Sequence, residues 1–180
     1  MKPSVSPVVR KIYAGSDHAG FALRHRLIEH LRAAGHTVED LGTASEASCD
    51  YPDYAAAVGR AVSGESGAVG VLICGTGLGV CIAANKIHGV RAVDAWNVEA
   101  AKISRAHNDA NVLCLGARTL AEPDALAIAD AWLVAPFDGG ERHARRVDKI
   151  RQIEAAIEAE DRAAEDRAAG QRQQKQEQER

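Results

Sequence analysis

The sequence has little of what marks several common classes of protein. Only 4% of its 180 residues are aromatic, and no apolar run approaches the roughly 20 residues of a membrane-spanning helix. The net charge of -3 offers no broad positive field for nucleic acid. Residues 1–9 form an N-terminal extension with no apolar stretch typical of a signal peptide. We therefore expect a cytoplasmic protein that binds neither membranes nor nucleic acid.

Cysteine is also scarce, and its spacing excludes the common cysteine-based sites. The chain has four cysteines and no Cys-x-x-Cys pair. Three of them lie among apolar residues, which is typical of reduced core thiols in a cytosolic protein. The histidines outside the motifs described below show no metal-ligand spacing. We therefore expect no metal site, and the hydrophobic content of 46% is enough for a core that needs no disulfide.

Strand and helix patterns alternate five times along residues 10–157. The continuous apolar run at 69–74 is typical of a central parallel strand covered on both faces. We predict an α/β fold, namely a Rossmann-like, doubly wound five-stranded parallel sheet with a C-terminal helical extension. The predicted strands are 8–14, 37–41, 69–74, 90–95 and 112–116, and the predicted helices are 20–33, 53–62, 80–86, 98–105 and 123–134.

The composition changes after residue 141. Ile150, Ile153 and Ile157 form one apolar stripe at helical spacing, so we expect this helix to dock until about residue 157. Residues 158–180 contain no large apolar residue, and glutamine and alternating charges dominate. This segment is predicted to be a solvated helix or a disordered tail.

The segments that follow the predicted strands carry the interesting motifs, because ligands of such folds bind at the carboxyl ends of the strands. The loop 75–79 follows strand three and leads into a helix, an arrangement that presents backbone N–H groups to an anion. Its spacing matches neither a dinucleotide fingerprint nor a Walker loop. The glycines of this loop are explained equally well by a tight turn as by an anion-binding loop. Cys74 directly precedes the loop, where a helix N-terminus can activate a thiol, although a core cysteine remains the alternative.

Two further motifs flank other strands. Asp17 and His18 follow strand one, where Asp17 either caps the next helix or faces the same cleft as Cys74. His107 and Asn108 precede strand five and therefore lie at its amino end, away from the cleft of their own chain. They form either a polar turn or part of the site of a second subunit, which would make the protein a dimer with a shared site.

Arginines near the C-terminal helix could bind a phosphate. Arg142 and Arg146 are four residues apart, so their guanidinium groups share one helix face. Such a pair can hold a phosphate through charge-assisted hydrogen bonds, and a solvated basic turn is the alternative. Arg118, which follows strand five, is a further candidate.

Six of these segments occur in the order and spacing of one known family. The sequence resembles ribose-5-phosphate isomerase type B and its galactose-6-phosphate isomerase relatives over about residues 10–157. The segments are Asp17-His18-Ala19-Gly20, Asp50-Tyr51-Pro52-Asp53-Tyr54-Ala55, Ile73-Cys74-Gly75-Thr76-Gly77-Leu78-Gly79, Ile82-Ala83-Ala84-Asn85-Lys86, His107-Asn108-Asp109-Ala110-Asn111-Val112-Leu113 and Phe137-Asp138-Gly139-Gly140 with Arg142-His143 and Arg146.

The resemblance implies an aldose–ketose isomerase that needs no cofactor and acts on ribose 5-phosphate and ribulose 5-phosphate through an enediolate. It implies Cys74 as the base, in the branch of the family that uses cysteine, and His107 in opening the sugar ring. It further implies a homodimer with a shared site, with a tetramer left open. The implied supporting residues are Thr76 and Tyr51 at the ring hydroxyl, Asp17, His18 and Asn108 at the sugar, Gly75, Gly77, Leu78 and Gly79 at the developing charge, and Arg118, Arg142 and Arg146 at the phosphate.

The sequence departs from the family pattern at two places, and the second of them, after strand four, leaves the length of the sugar open. Glu141 separates the glycine pair from Arg142, and Trp96 and Asn97 follow strand four in a pattern that we cannot place. The nearest alternatives are the same chemistry on a tetrose or hexose phosphate, such as an erythrulose, allose or galactose phosphate. A sugar-phosphate sensor without catalytic activity is the alternative from a different class.

Overall fold

The computed structural model describes residues 9–178. Its core is a five-stranded sheet in the order β2-β1-β3-β5-β4, and every pairing is parallel. This topology confirms the predicted doubly wound α/β fold. The strands are β1 Lys11–Ser16, β2 Thr37–Asp40, β3 Val69–Cys74, β4 Ala92–Asp94 and β5 Val112–Gly116.

Within residues 9–178, six helices connect and follow the strands. Their bounds are α1 Phe21–Ala33, α2 Tyr51–Gly64, α3 Leu78–Ala84, α4 Val98–Asn108, α5 Glu122–Val134 and α6 Glu141–Gln178, and a short 3₁₀ turn spans His18–Gly20. Among the helices, α4 ends at Asn108 rather than at residue 105, and α2 begins at Tyr51 rather than at residue 53. Pro52 lies in the first turn of α2, where its missing N–H would have no partner in any case. Of the first predicted strand, Val8 lies outside the described residues.

The two faces of the sheet carry different helices. Alternate β3 residues point to opposite sides. Val69, Val71 and Ile73 pack with α1, α4 and α5, whereas Leu72 and Cys74 pack with α2 and α3. Both faces are filled mainly by aliphatic side chains, as the low aromatic content requires. Cys74 therefore belongs to the α2/α3 side of the sheet.

The chain divides into two compact units, the first ending at Gly139 and the second beginning at Gly140. The second unit is the helix α6, which carries the predicted isoleucine stripe and continues to Gln178. Of the two predicted states of residues 158–180, the structure therefore has the helical one as far as residue 178. Docking of the isoleucine stripe stays a prediction. Across residues 9–178, no helix combines the length and hydropathy needed to cross a membrane.

Two glycines of α2 allow a test of how closely this helix packs. A Cβ atom on Gly59 would lie 2.9 Å from Cγ1 of Ile87, whereas a Cβ on Gly64 would meet no heavy atom within 4 Å. We expect Gly59→Ala to lower the free energy of unfolding by about 1–3 kcal/mol through overpacking. Gly64→Ala is expected to leave it unchanged or raise it slightly, because alanine favours helix more than glycine does. Urea denaturation measures both values, and equal losses would contradict the packing.

Candidate active site

Three strand ends meet at one edge of the sheet. In the register of the parallel pairs, Ser16 of β1 lies beside Ile73, and Cys74 of β3 lies beside Gly116 of β5. The segments that follow these strands therefore start side by side. This edge brings together the predicted site residues that follow β1, β3 and β5.

Cys74 lies at this edge with its sulfur directed at the glycine loop. Its side chain is only 3% exposed, and the Gly77 N–H donates a hydrogen bond to Cys74 Sγ at 3.2 Å. Gly77 has a φ of +81°, and a Cβ there would lie 2.3 Å from Oδ1 of Asp94. Glycine is therefore required at position 77, for its backbone conformation and for space. The resulting turn places an N–H donor where it can meet negative charge on sulfur.

The other two glycines of the loop leave room for side chains from elsewhere. A Cβ on Gly75 would lie 3.3 Å from Nη1 of Arg118, and a Cβ on Gly79 would lie 2.7 Å from the ring of Tyr51. The backbone N–H of Arg118 also donates to the Gly75 carbonyl at 2.9 Å. The structure thus brings Arg118 and Tyr51 against the loop. Of the remaining loop residues, the side chains of Thr76 and Leu78 are exposed beside it.

The segment after β1 is held by short-range hydrogen bonds. The buried Asp17 carboxylate accepts the Gly20 N–H at 3.1 Å, so Asp17 does cap the following turn. Nδ1 of His18 accepts the backbone N–H of Cys49 at 3.3 Å. In the neutral imidazole this bond assigns the proton to Nε2, which is then a donor. A role of Asp17 and His18 in binding a ligand stays a prediction.

Arg24 is a buried cation that the sequence pattern does not reveal. It is 1% exposed, although it stands among the leucines of the buried face of α1. Its guanidinium donates to Ser16 Oγ at 2.7 Å and to the Thr43 carbonyl at 2.7 Å, and its Nε lies 3.0 Å from Oδ1 of Asp40. These bonds hold the ends of β1 and β2 together. The only sign of this buried cation in the sequence is a charged residue within the apolar stripe of α1.

His107 and Asn108 lie in the last turn of α4, at the opposite edge of the sheet. The chain then enters β5 at Val112, which pairs with Gly70 at the beginning of β3. Cys74 lies four residues further along β3, a separation of roughly 13 Å along the strand. One chain therefore does not bring His107 and Asn108 to its own Cys74, in agreement with their expected position.

Two asparagines of the quoted motifs are structural. The side chain of Asn111 accepts the Arg91 N–H at 2.7 Å and donates to the Gly89 carbonyl at 2.8 Å. Asn85 accepts the Ala92 N–H at 2.9 Å and donates to the Ala92 carbonyl at 2.8 Å. The Asn85 amide therefore holds the first residue of β4, and the Asn111 amide holds the turn that leads into β4.

The pKa values of three ionisable groups near the loop are shifted, two of them upward and one downward. Burial raises the pKa of the Asp94 carboxyl, and it raises that of the Cys114 thiol well above its usual value. Cys81 has a lowered pKa because Cys114 donates a hydrogen bond to its sulfur. All four cysteines are free thiols.

Arg142 and Arg146 belong to the second unit. They lie one turn apart near the start of α6, and both are exposed. The two arginines therefore share one face of α6, as predicted. Their contact with a phosphate stays a prediction.

Comparisons with known proteins agree with this architecture. A family model described as Ribose/Galactose Isomerase matches residues 12–150. The chain is 48% identical to ribose-5-phosphate isomerase B of Escherichia coli K12 over 81% of this chain and 97% of the relative. A structure of the Clostridium thermocellum ribose-5-phosphate isomerase B aligns with a TM-score of 0.79 and 48% identity, over 82% of this chain and 99% of that one.

A further solved structure carries a ligand. Ribose-5-phosphate isomerase B of Mycoplasma genitalium, solved with bound ribulose-5-phosphate, aligns with a TM-score of 0.77 and 42% identity. The alignment covers 81% of this chain and 96% of that one.

Two asparagines near His107 allow a test that separates a structural residue, Asn111, from a predicted binding residue, Asn108. We expect Asn111→Ala to lower the free energy of unfolding by about 1–3 kcal/mol, because it leaves a backbone N–H and a carbonyl without their partner. Asn108→Ala is expected to change stability by less than about 0.5 kcal/mol, because the Asn108 side chain is exposed. Thermal and urea denaturation measure both, and a large loss in Asn108→Ala would mean that Asn108 too is a structural residue.

Proposed function

The chain belongs to the ribose/galactose isomerase family, and from this premise we propose that it interconverts ribose 5-phosphate and ribulose 5-phosphate without a cofactor. The observation that carries the proposal is the position of Cys74, at the end of the central strand with the Gly77 N–H on its sulfur. The relatives named above are ribose-5-phosphate isomerases B, and one of them was solved with the ketose product. A cytoplasmic location remains a prediction from the sequence.

Cys74 acts as the base in this proposal. Its thiolate takes the proton from C2 of the open-chain aldose, and the electron pair moves toward the carbonyl oxygen to form an enediolate. The proton of the C2 hydroxyl passes to the oxygen on C1, and the same thiol returns its proton to C1, which leaves a carbonyl at C2 and no net gain or loss of a proton. Preorganised N–H donors of the loop stabilise the developing negative charge, and one such donor is typically worth about 3 kcal/mol of the barrier. Thr76 of the loop, and Tyr51 whose ring lies against Gly79, are proposed to assist at the ring hydroxyl.

The sugar ring must open before this step, and we assign that task to His107. Because His107 lies at the far edge of its own sheet, it serves the Cys74 of a second copy. The proposed assembly is therefore a homodimer in which each site combines Cys74 from one subunit with His107 and Asn108 from the other. Such a two-fold arrangement produces two equal sites.

The phosphate is assigned to arginines. Arg118 lies against Gly75, where its guanidinium can hold the phosphate end of a substrate whose reacting carbons lie at the loop. Arg142 and Arg146 of α6 are likewise proposed to bind a substrate phosphate. Binding energy from a phosphate that does not react can position the reacting carbons.

The length of the sugar depends on the segment after β4. Asn97 is engaged as the cap of α4, since its side chain accepts the Ala100 N–H at 2.7 Å, whereas the Trp96 ring is 70% exposed. An exposed ring beside the carboxyl edge can limit the length of a bound sugar. Tetrose and hexose phosphates are therefore the substrates to compare with ribose 5-phosphate.

A panel of four-, five- and six-carbon sugar phosphates tests the reaction. We expect ribose 5-phosphate to give the highest kcat/KM with the wild type, and Cys74→Ala to lower kcat by about 100- to 10,000-fold because the proton acceptor is lost. Cys81→Ser, which replaces another thiol on the same side of the sheet, is the matched control and should keep its activity. No turnover of any sugar phosphate by the wild type would refute the isomerase, and near-normal turnover by Cys74→Ala would refute the base.

Mixing inactive subunits tests the shared site. Equal amounts of Cys74→Ala and His107→Ala protein, after confirmed subunit exchange, should recover about a quarter of the wild-type activity, because half of the random dimers carry one intact site of two. A mixture of Cys74→Ala with the double variant Cys74→Ala/His107→Ala contains no intact site and should stay inactive. If exchange occurs and activity does not return, each site is built within one subunit.

A further inference from the structure

Arg24 is a buried cation to which the proposed reaction assigns no task. It lies on α1, and its guanidinium reaches three partners at the carboxyl ends of β1 and β2. Nη1 donates to Ser16 Oγ at 2.7 Å, and Nη2 donates to the Thr43 carbonyl at 2.7 Å. Nε lies 3.0 Å from Oδ1 of Asp40, as an ion pair without the alignment of a hydrogen bond. The planar fork of this arginine thus joins two strand ends at the edge where the candidate site lies.

The guanidinium is closely packed against the loop that connects β2 to α2, residues 41–50. This loop contains neither helix nor strand. A Cβ on Gly42 would overlap Nη1 of Arg24, so the cation occupies the space that a side chain at position 42 would need. The Thr43 N–H also donates to the Ser16 carbonyl at 3.0 Å. Backbone and side chain together therefore fix the beginning of the loop to the end of β1.

The other end of the same loop holds a predicted site residue. The Cys49 N–H donates to Nδ1 of His18 at 3.3 Å, so the proton of the neutral imidazole lies on Nε2. No described residue accepts a hydrogen bond from Nε2, which leaves this donor available to a ligand. The orientation of the His18 ring thus depends on where the loop places Cys49, and the loop is fixed by Arg24.

Stability alone does not account for an arginine at position 24. Removing a guanidinium from water costs free energy that its partners only partly return. An apolar residue would continue the stripe formed by Leu23, Leu27 and Leu31. Arginine adds direction, because its rigid fork fixes the positions of several acceptors at once. The acceptors here belong to the segment that precedes His18 and to the loop that orients it.

We propose that Arg24 is a positioning residue, which fixes loop 41–50 to the end of β1 and thereby holds the His18 imidazole with its Nε2–H available to a sugar phosphate. This role rests on the proposed isomerase function and on the predicted contact of His18 with the sugar. Because Arg24 is only 1% exposed, it acts through His18 and not by touching the substrate. Its removal therefore affects substrate binding more than the chemical step.

A double-mutant cycle tests the link between Arg24 and His18. Arg24→Met keeps an unbranched side chain and removes the fork, and KM and kcat for ribose 5-phosphate are measured for this variant, for His18→Ala and for the double variant. We expect Arg24→Met to raise KM about three- to tenfold, the effect of one lost hydrogen bond, with a smaller change in kcat. In the His18→Ala background the same substitution should change KM by less than about twofold, because residues that act through each other are not additive.

The nitrogen chemical shifts of the His18 ring report its orientation without any reaction. In mildly alkaline solution, where histidine side chains are ordinarily neutral, the wild type should show Nδ1 unprotonated and Nε2 protonated. The signals are assigned by their loss in His18→Ala. In Arg24→Met the two nitrogens should move toward the averaged shifts of a ring that exchanges between both tautomers. Arg24→Lys keeps the charge but has no fork, so it should move them in the same direction.

Arg32→Met is the matched control. Arg32 lies on the same helix and donates to the Val38 carbonyl of β2 at 2.8 Å, but Val38 pairs with Ile12 near the beginning of β1, away from the site. Loss of this bond should lower the free energy of unfolding in urea, while KM and the His18 ring shifts stay at their wild-type values.

Several results would overturn this role. If Arg24→Met raises KM equally with and without His18, or if the ring shifts do not change, Arg24 only stabilises the fold. If Arg32→Met gives the same changes, a general loosening of β2 explains them. If Arg24→Met does not fold, Arg24→Lys is judged by the same readouts. If the wild type turns over no sugar phosphate, the proposed function fails, while the ring shifts still decide whether Arg24 holds His18.

Discussion

The pairing of β3 with β1 and β5 is the constraint on which the rest of the structure depends. A parallel strand that is buried on both faces needs apolar residues along its length, and Val69–Cys74 is apolar and buried throughout. Since the three strands run in the same direction, their carboxyl ends meet at one edge. The thiol, the glycine loop, the capped turn after β1 and Arg118 then become neighbours although they are far apart in the chain.

The same topology separates residues that the proposed reaction brings together. A helix that crosses from the end of one parallel strand to the start of the next must carry its last residues to the opposite edge. His107, near the end of α4, is accordingly about a strand length away from Cys74. Under the proposed mechanism, a single chain thus contains two halves of a site that face different edges, and a second copy unites them. This geometry gives the proposed dimer a catalytic reason rather than a merely structural one.

Close packing against glycine decides much of the detail at the loop. Gly75, Gly77 and Gly79 each lie against a side chain, namely Arg118, Asp94 and Tyr51. The sequence alone suggested an anion-binding turn, which accounts for the backbone donors. It did not indicate which side chains fill the space that these glycines leave. Asn85 and Asn111 also belong to the family motifs, but their side chains bond to the backbone of β4 and of the residues before it. These two residues therefore have a structural role.

The sequence by itself determined the order of the elements, the direction of the strands and the family, because hydrophobic periodicity and motif spacing are local properties of the chain. It also placed His107 away from the cleft, since that follows from topology. Only the tertiary structure decided that Arg24 is a buried cation behind β1, and that the carboxylate of Asp94 lies on Gly77. Both depend on residues from other segments of the chain. The only local sign of the first is a charged residue within the apolar stripe of α1, and the second has none. The thiol at the end of β3 was visible from the sequence, whereas the charges that surround it were not.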